Sequence, residues 1–281
     1  MPKYLNKGEK RGWVWEGYEG LFEIDPDSLF DSTECAIIKD QKRIKVGRII
    51  WNGEEIYLKR YNTYSVWTYI EGFIRGSKAL RAWKGAMILM EKGIATAQPL
   101  AAIEWKRFGL GGVGARRPRP LLNLAAIEWK RFWLGGKSFY ITRGVSDSQI
   151  SVDYYKECLK DKQASLSDKR VFLRSLADLF REIHAKNVYH NDLKDYNILV
   201  REEGDRRRFF LLDLEGVRVY HSIPDNKRIK NLVQLNRTLG RLLSSTDKVA
   251  FIRQYTKDGE WKSLSRQVIR RSIKEDRRKG L

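Results

Sequence analysis

The sequence has few cysteines and no long apolar run. Its two cysteines, Cys35 and Cys158, lie far apart and form no C-x-x-C pair, which argues against a disulfide framework or a zinc site and favours a reducing compartment. No segment approaches the roughly 20 apolar residues that cross a bilayer, and the N-terminus lacks the apolar core of a signal peptide. We therefore expect a cytoplasmic protein without a transmembrane segment.

Acidic residues are also scarce. The chain holds 35 Asp and Glu against 55 Lys and Arg, a net charge of +20, together with nine Trp and 13 Tyr. A basic surface rich in amphipathic rings suits an anionic partner, either nucleic acid or an acidic membrane surface with its glycolipids. A soluble protein that is merely basic has the same composition, because net charge indicates partners only weakly. The 281 residues, 42% of them hydrophobic, are enough for two packed lobes.

The most informative motif is H-N-D-L-K-D-Y-N-I-L at residues 190–199, followed by D-L-E-G at residues 213–216. Phosphoryl transfer needs a carboxylate that faces the acceptor hydroxyl, and oxygen ligands for Mg²⁺. In the kinase pattern H-R-D-L-x-x-x-N, the Asp is the base and the Asn binds metal, as does the Asp of a later D-F-G. We therefore predict Asp192 as the base, with Asn197 and Asp213 as metal ligands. Lys194 is predicted to reach the transferring phosphate, although a solvated loop lysine would look the same.

The flanking sequence agrees with this assignment. Apolar spacing predicts a helix over residues 167–184, with Val171, Phe172, Leu176, Leu179, Phe180 and Ile183 on its buried face. Strands at 198–200 and 209–212, joined by the polar turn 202–205, predict a hairpin that returns Asp213 beside Asn197. Ordinary turn chemistry with no catalytic role is the simpler alternative, but motif, spacing and flanks together favour a catalytic site.

The N-terminal half predicts a nucleotide-binding sheet. Strands are predicted at residues 35–40, 43–51 and 55–61. The last two are joined by Asn52-Gly53, a pair typical of a tight hairpin turn. Lys59 occupies the place of the lysine in the kinase strand V-A-I-K, which binds ATP phosphates. Tyr57 shares its strand face and would pack on the nucleotide or narrow its pocket. A further strand at 138–144 leads to the second lobe, with backbone groups near Thr142 and Gly144 facing adenine.

Two expected kinase features are missing. The turn between the first two strands, residues 39–43, has no glycine, and the helix predicted over 76–93 has no acid between residues 78 and 90 to pair with Lys59. Glu71 and Glu91 are the nearest candidates.

A tandem duplication interrupts this half. Residues 101–108 recur letter for letter at 125–132, which also accounts for the G-x-G-x-x-G string at 109–114. Prolines follow that string where a dinucleotide-binding unit would begin its helix. We expect the duplicated segment, about residues 101–136, to add a strand or a basic loop.

The tail predicts helices at about residues 230–244 and 247–255, then a basic end over 266–279. This end is either a solvated helix face or a segment apposed to a membrane.

The chain resembles the bacterial lipopolysaccharide kinase family, the Kdo and heptose kinases of the protein-kinase-like superfamily. The resemblance covers about residues 35–255 and rests on residues 56–61, 92–101, 190–199, 213–217 and 230–236. It implies an α+β, two-lobed protein-kinase-like fold. We expect an N-terminal extension over residues 1–30, a nucleotide-binding lobe with an antiparallel sheet and one helix over 31–143, and a mostly helical catalytic lobe over 144–281.

The resemblance also implies a reaction, with ATP and Mg²⁺ as cofactors. A sugar hydroxyl of the lipopolysaccharide inner core, on Kdo or heptose, would be phosphorylated at the cytoplasmic face of the inner membrane. The expected partners are the lipopolysaccharide core, which is an anionic glycolipid, and the anionic membrane surface; no nucleic acid is expected. The alternatives are a protein kinase or aminoglycoside-type small-molecule kinase, which share the transfer chemistry, and a pseudokinase or basic nucleic-acid-binding scaffold.

Overall fold

The computed structural model describes residues 1–63, 65, 71–72, 74–105, 136–160, 166–204 and 206–280. The chain forms two compact units. Unit 1 comprises Met1–Lys84 and Gln98–Gly144, and unit 2 comprises Gly85–Ala97 and Val145–Leu281. The second copy of the duplication, residues 125–132, and the glycine string at 109–114 lie outside the described residues.

Unit 1 is built on an antiparallel sheet. In its described part the sheet has seven strands, in the order β1-β2-β6-β7-β5-β4-β3. The strands are β1 (Pro2–Lys7), β2 (Lys10–Trp15), β3 (Ala36–Gln41), β4 (Ile44–Trp51), β5 (Glu54–Asn62), β6 (Pro99–Trp105) and β7 (Lys137–Arg143). The predicted meander β3-β4-β5 is confirmed, and Asn52 and Gly53 both have positive φ (50° and 80°), as a tight hairpin turn requires.

The sheet also contains strands that the sequence did not predict. β2 pairs with β6, with Val14 opposite Ala101, so the segment expected as an extension supplies two strands of the same sheet. In β1 no residue is fully buried. Such an edge strand has little of the polar and apolar alternation by which strands are recognised.

The core of unit 1 lies on one face of this sheet. Helix α1 (Gly20–Glu23) and a 3-10 turn at Ser28–Asp31 cover that face. Buried side chains from the strands and from the two covering elements form one cluster, which includes Leu21, Phe22, Leu29, Phe30, Ile56, Leu58, Ile103, Phe139 and Ile141. Each fully buried side chain of this size stabilises the fold by about 1.5–3 kcal/mol, so residues 20–31 are an integral part of unit 1.

Helix α2 (Lys78–Glu91) confirms the helix predicted over residues 76–93. Its N-terminal half belongs to unit 1, where the Trp83 ring stacks on Trp13 with centroids 6.4 Å apart. Its C-terminal half, from Gly85, belongs to unit 2.

Unit 2 combines helices with short strands. Its helices are α3 (Ser151–Tyr154), α4 (Leu166–Ala185), α5 (Asp225–Asn236), α6 (Ser245–Thr256) and α7 (Trp261–Arg278), and a π-helical turn spans Tyr155–Lys160. Its strands are β8 (Ser148–Ile150), β9 (Val188–Tyr189), β10 (Ile198–Glu203), β11 (Arg206–Leu211) and β12 (Arg218–Val219). The expected α+β class is thus confirmed.

The structure corrects two details of the helices predicted from the sequence, on α4 and α5. On α4 the predicted stripe is buried except for Val171, which is exposed. Helix α5 begins directly after Pro224 and ends at Asn236, whereas the prediction ran from 230 to 244. The basic end forms the long helix α7. None of the described helices is both long and apolar enough to span a bilayer.

Candidate active site

The geometry of the site begins with a hairpin. β10 pairs antiparallel with β11, with Ile198 opposite Leu211, as predicted. The Leu212 backbone N–H then donates to the Asn197 carbonyl oxygen over 2.9 Å. This bond continues the pairing by one residue and places Asp213 directly after the residue that is bonded to Asn197.

The Asp192 carboxylate is held from two sides. Lys194 Nζ donates to Asp192 Oδ2 over 2.7 Å, and Asn197 Nδ2 donates to the same oxygen over 3.2 Å. Asn197 Nδ2 also donates to the Asp192 backbone carbonyl over 2.8 Å. Both amide hydrogens of Asn197 are therefore directed at Asp192, and its Oδ1 is the atom left to bind a cation.

The loop contains a second carboxylate, on Asp195, but only Asp192 is accessible. The Asp192 side chain is 39% exposed, whereas Asp195 is completely buried. Burial raises the pKa of Asp195 because a low-polarity environment disfavours the charged form. An acceptor hydroxyl arriving from solvent can thus meet Asp192 and not Asp195.

Asp213 has a left-handed backbone conformation, with φ 62° and ψ 54°. Non-glycine residues adopt this conformation at some cost, and Asp and Asn tolerate it best. Strained residues of this kind cluster at functional sites. The 3-10 turn Leu214–Gly216 that follows fixes the direction of the chain after Asp213.

Two glycines allow close packing around this turn. A Cβ on Gly216 would lie 2.5 Å from the Asn191 Cβ, and a Cβ on Gly85 of α2 would lie 2.3 Å from the Leu214 carbonyl oxygen. Any side chain at either position would displace the turn that carries Asp213 or the loop that carries Asp192. Gly216 is thus required by the contact between these two segments.

His190 links the same two segments. Its Nε2 lies 2.8 Å from the Leu212 carbonyl oxygen, and its Nδ1 accepts the Asp192 backbone N–H over 3.2 Å. Because Nδ1 is an acceptor, Nε2 carries the proton and donates to Leu212. The buried imidazole is therefore a structural bridge between Asp192 and Leu212, the residue before Asp213.

Helix α5 fixes the backbone of the catalytic loop, a role that the sequence reasoning did not assign. Asn231 Nδ2 donates to the His190 carbonyl over 2.6 Å. Gln234 Nε2 donates to the Asn191 carbonyl over 2.8 Å, and Gln234 Oε1 accepts the Leu193 N–H over 3.1 Å. The sequence signal was the pair of amides three residues apart within the motif at residues 230–236.

A buried histidine extends this network. His184 Nε2 lies 3.2 Å from Asn231 Oδ1, and His184 Nδ1 lies 2.8 Å from the Tyr255 hydroxyl. Since both Nδ2 hydrogens of Asn231 are donated to His190 and Gln234, its Oδ1 accepts from His184 Nε2–H. His184 Nδ1 then accepts from Tyr255. This arrangement requires a neutral imidazole, and burial lowers the pKa of His184 to about 4.

Acid should therefore weaken the fold through His184. An unfolded-state histidine takes up its proton near pH 6.5, whereas folded His184 does so only near pH 4. Between these values the unfolded state binds more protons, so we expect stability to fall by about 3 kcal/mol as the pH drops from 6.5 to 4. Denaturant unfolding at several pH values measures this. His184→Gln should flatten the profile, and the exposed-site control His221→Gln should not; equal acid sensitivity of wild type and His184→Gln would contradict the assignment.

The predicted nucleotide-binding residues lie on two adjacent strands of unit 1. Tyr57 on β5 pairs with Thr142 on β7, and Lys59 pairs with Tyr140. Lys59 Nζ lies 5.0 Å from the Tyr61 ring centroid, on the strand face that it shares with Tyr57. Burial and, secondarily, the Glu55 carboxylate raise the pKa of Tyr57, so its hydroxyl is neutral at pH 7.

Residues 142–144, which were predicted to lead to the second lobe, lie where the pairing of β5 with β7 ends. The Gly144 N–H donates to the Glu55 carbonyl over 2.7 Å, and the Arg143 N–H donates to the Gln98 carbonyl over 3.0 Å. Unit 1 ends at Gly144. The amides at the end of this strand are thus bonded within unit 1.

The sequence offers Glu71 and Glu91 as partners for Lys59. Glu71 accepts from Arg81 over 2.6 Å, and Glu91 is an exposed residue at the end of α2. Glu104 on β6 is buried and pairs with Arg11 over 2.8 Å. The helix acid of protein kinases therefore has no counterpart at the expected position of α2.

The oxygen ligands suit one kind of metal site. Within the described ranges, no three His, Cys, Asp or Glu side chains cluster as metal ligands. Mg²⁺ in phosphotransferases is usually bound by one or two protein oxygens together with nucleotide phosphates. One amide oxygen on Asn197 and one carboxylate on Asp213 fit a Mg²⁺ that arrives with ATP.

Comparison with known proteins agrees with the resemblance. The model of the lipopolysaccharide kinase (Kdo/WaaP) family matches residues 120–255. A 3-deoxy-D-manno-octulosonic acid kinase from Pasteurella multocida (strain Pm70) is 24% identical over 132 residues, which are 43% of this chain and 52% of that kinase. The match thus spans about half the length of that relative.

A solved structure is similar over a larger part of the chain. The structure of WaaP in complex with acyl carrier protein has a TM-score of 0.62 at 17% identity and covers 93% of this chain and 97% of that one. At this identity the likeness concerns the fold. The family that the sequence resembles is thus the one whose model matches residues 120–255, the lipopolysaccharide kinase (Kdo/WaaP) family.

Proposed function

We propose that the chain is an ATP-dependent kinase that phosphorylates a sugar hydroxyl, on Kdo or heptose, of the lipopolysaccharide inner core. The observation that carries this proposal is the exposed Asp192 carboxylate, held by Lys194 and Asn197 one hairpin away from Asp213. A base, an amide oxygen and a carboxylate in this arrangement are the protein groups that phosphoryl transfer requires. The family match supplies the acceptor class.

The chemical roles follow from the contacts. Asp192 accepts the proton of the sugar hydroxyl and orients that hydroxyl toward the γ-phosphate. Lys194 lies beside the carboxylate, where its charge stabilises the phosphoryl group in transfer. Asn197 Oδ1 and the Asp213 carboxylate would hold Mg²⁺, which neutralises the phosphate oxygens when bound. His190, Asn231 and Gln234 keep the loop in place.

The residues that we propose to contact ATP belong to unit 1. Lys59 would bind the nucleotide phosphates, and the neutral Tyr57 ring offers a surface on which adenine can stack. The Gly144 amide is bonded to Glu55, so we assign the adenine contact of residues 142–144 to carbonyl oxygens of Thr142 and Gly144. A kinase of another acceptor class would use the same groups, and the acceptor must be tested directly.

The deciding experiment is transfer of labelled γ-phosphate from Mg-ATP to dephosphorylated lipopolysaccharide core. A generic protein substrate and an aminoglycoside serve as competing acceptors in the same assay. Transfer to the core alone supports the proposal. Transfer to either competitor would indicate the kinase alternatives, and ATP-independent binding of nucleic acid that weakens steeply with salt would favour the scaffold.

We also propose that the kinase works at an anionic membrane surface, peripherally and on the cytoplasmic side, and helix α7 supports this. Ile269 and Ile273 are 47% and 48% exposed, one turn apart, among exposed arginines at 266, 270 and 277. The residues that precede them, Val268 and Ser272, are buried. The acids of α7 are Glu275 and Asp276, and both pair with Arg237, the residue directly after α5. The exposed face therefore combines apolar and basic groups, as interfacial helices do.

Vesicle binding should depend on this face. We expect the chain to bind phosphatidylglycerol vesicles, with about 1 kcal/mol contributed by each arginine near the surface. Binding should weaken at high salt, because salt screens this electrostatic attraction. Ile269→Ser with Ile273→Ser should weaken binding about tenfold or more, since each partly inserted side chain contributes on the order of 1 kcal/mol. The matched control is Leu166→Ser with Val171→Ser, an exposed apolar pair on α4. Equal loss in both variants, in a cosedimentation assay, would refute the assignment to α7.

A further inference from the structure

Two lysines of α5 lie beside the loop that carries Asp192, and the proposed reaction assigns them no role. Lys227 Nζ lies 5.0 Å and Lys230 Nζ lies 5.8 Å from the centroid of the Tyr189 ring. Tyr189 is almost completely buried, with 2% of its surface exposed. One buried aromatic ring thus has two ammonium groups within 6 Å of its centroid, immediately before the loop that carries Asp192.

Asn191 joins this cluster to the base. Lys230 Nζ and the Tyr189 hydroxyl both donate to Asn191 Oδ1, each over 3.2 Å. Since the oxygen of the amide accepts these bonds, its Nδ2 group remains as a donor. The Asn191 backbone is fixed by Gln234, and its Cβ packs against Gly216. The loop therefore presents one more hydrogen-bond donor in a defined position, on the residue next to Asp192.

The positive charge of the cluster is not balanced within the described part of the chain. No described carboxylate lies within 4 Å of Lys227 Nζ or Lys230 Nζ, and the acid at the start of α5, Asp225, is paired with Arg228 over 3.6 Å. Two neighbouring ammonium groups repel each other. Keeping them together favours an anion that binds between them, and bonds from charged donors to an anion are about twice as strong as neutral ones.

We propose that Lys227, Lys230 and Asn191 Nδ2 bind an anionic group of the acceptor, a carboxylate or a phosphate, beside the hydroxyl that Asp192 deprotonates. This proposal rests on the proposed function, because it assigns a substrate contact to the same site. Successive Cα atoms are about 3.8 Å apart, so an anion at Asn191 and a hydroxyl at Asp192 fit on one acidic sugar or on adjacent sugars. The cluster would thus select anionic acceptors over neutral ones.

The test is equilibrium binding and transfer kinetics with the full chain, comparing wild type, Lys227→Gln with Lys230→Gln, and the control Lys248→Gln on α6. Glutamine at 230 can still donate to Asn191, so the double variant removes charge and retains the local hydrogen bond. Lys227→Arg with Lys230→Arg retains the charge. The ligand is lipopolysaccharide core oligosaccharide that is unphosphorylated at the acceptor hydroxyl and retains its other anionic groups. We expect the glutamine variant to bind it about tenfold or more weakly, with a matching rise in KM for this acceptor and an unchanged KM for ATP. The arginine variant and the control should stay within about twofold of wild type.

Binding of modified core oligosaccharides identifies which anion the lysines contact. Loss of wild-type affinity for carboxyl-reduced core would indicate a carboxylate, whereas retained affinity that depends on a sugar phosphate would indicate a phosphate. If wild type transfers phosphate and the glutamine variant matches it in affinity and KM, the inference is wrong and the proposed function stands. If wild type binds the oligosaccharide through these lysines but transfers nothing, the inference stands and the proposed function fails. If wild type does not bind the oligosaccharide, the inference is overturned.

Discussion

Replacing Asp192 by Asn is expected to lower the rate of phosphoryl transfer about 10²- to 10⁴-fold, the usual contribution of a positioned general base. Asn has the size of Asp, and its side-chain oxygen can still accept the hydrogen bond from Lys194. The fold and the loop should therefore persist, and the loss should appear in kcat. The KM for ATP should change little, because Asp192 contacts the acceptor and not the nucleotide in the proposed mechanism.

The control is Asp225→Asn, which removes an exposed carboxylate at the start of α5 in the same unit. It should leave the rate within about twofold of wild type, because an exposed ion pair contributes at most about 1 kcal/mol. Labelled transfer from Mg-ATP and a separate measurement of ATP affinity give both quantities. Full transfer activity of Asp192→Asn would show that another group accepts the proton.

The hairpin around this base was predictable because its information is local. Residues 198–200 and 209–212 are short apolar runs separated by a polar turn, and the residue pairing follows from this pattern once the turn is placed. The relation between Asn197 and Asp213 then follows without knowledge of the rest of the fold. The same reasoning located α2 and α4, whose apolar residues recur at the helical period.

The supports of the catalytic loop were not predictable in this way. Asn231 and Gln234 bind backbone groups more than 40 positions earlier in the chain, and a side-chain contact to backbone leaves no mark on the residue contacted. The strands β1 and β2 were missed for a related reason, since their place in the sheet depends on pairing with β6, far along the chain. The chemical roles of Asp192, Lys194, Asn197, Asp213, Lys59, Tyr57, Thr142 and Gly144 remain predictions that only activity measurements can test.

The second large effect is expected at Asp213. Replacing it by Asn would remove the charge of the proposed Mg²⁺ ligand while keeping the left-handed backbone, which Asn tolerates as well as Asp does. Electrostatic stabilisation by a bound cation contributes several kcal/mol to such reactions, so we expect kcat/KM for ATP to fall about 10³-fold. Raising the Mg²⁺ concentration should recover part of the activity, because the neutral amide is a weaker ligand for the same ion.

Asp147 provides a matched control for the backbone. It also has positive φ, at 52°, in an exposed turn of unit 2, so Asp147→Asn makes the same chemical change on the same backbone conformation without a metal ligand. Transfer rates of the two variants over a Mg²⁺ titration separate ligand loss from backbone strain. A shifted Mg²⁺ requirement confined to Asp213→Asn would identify Asp213 as a ligand. An unchanged requirement, or an equal loss in both variants, would place the metal elsewhere and reduce Asp213 to a turn residue that His190 and Gly216 hold in position.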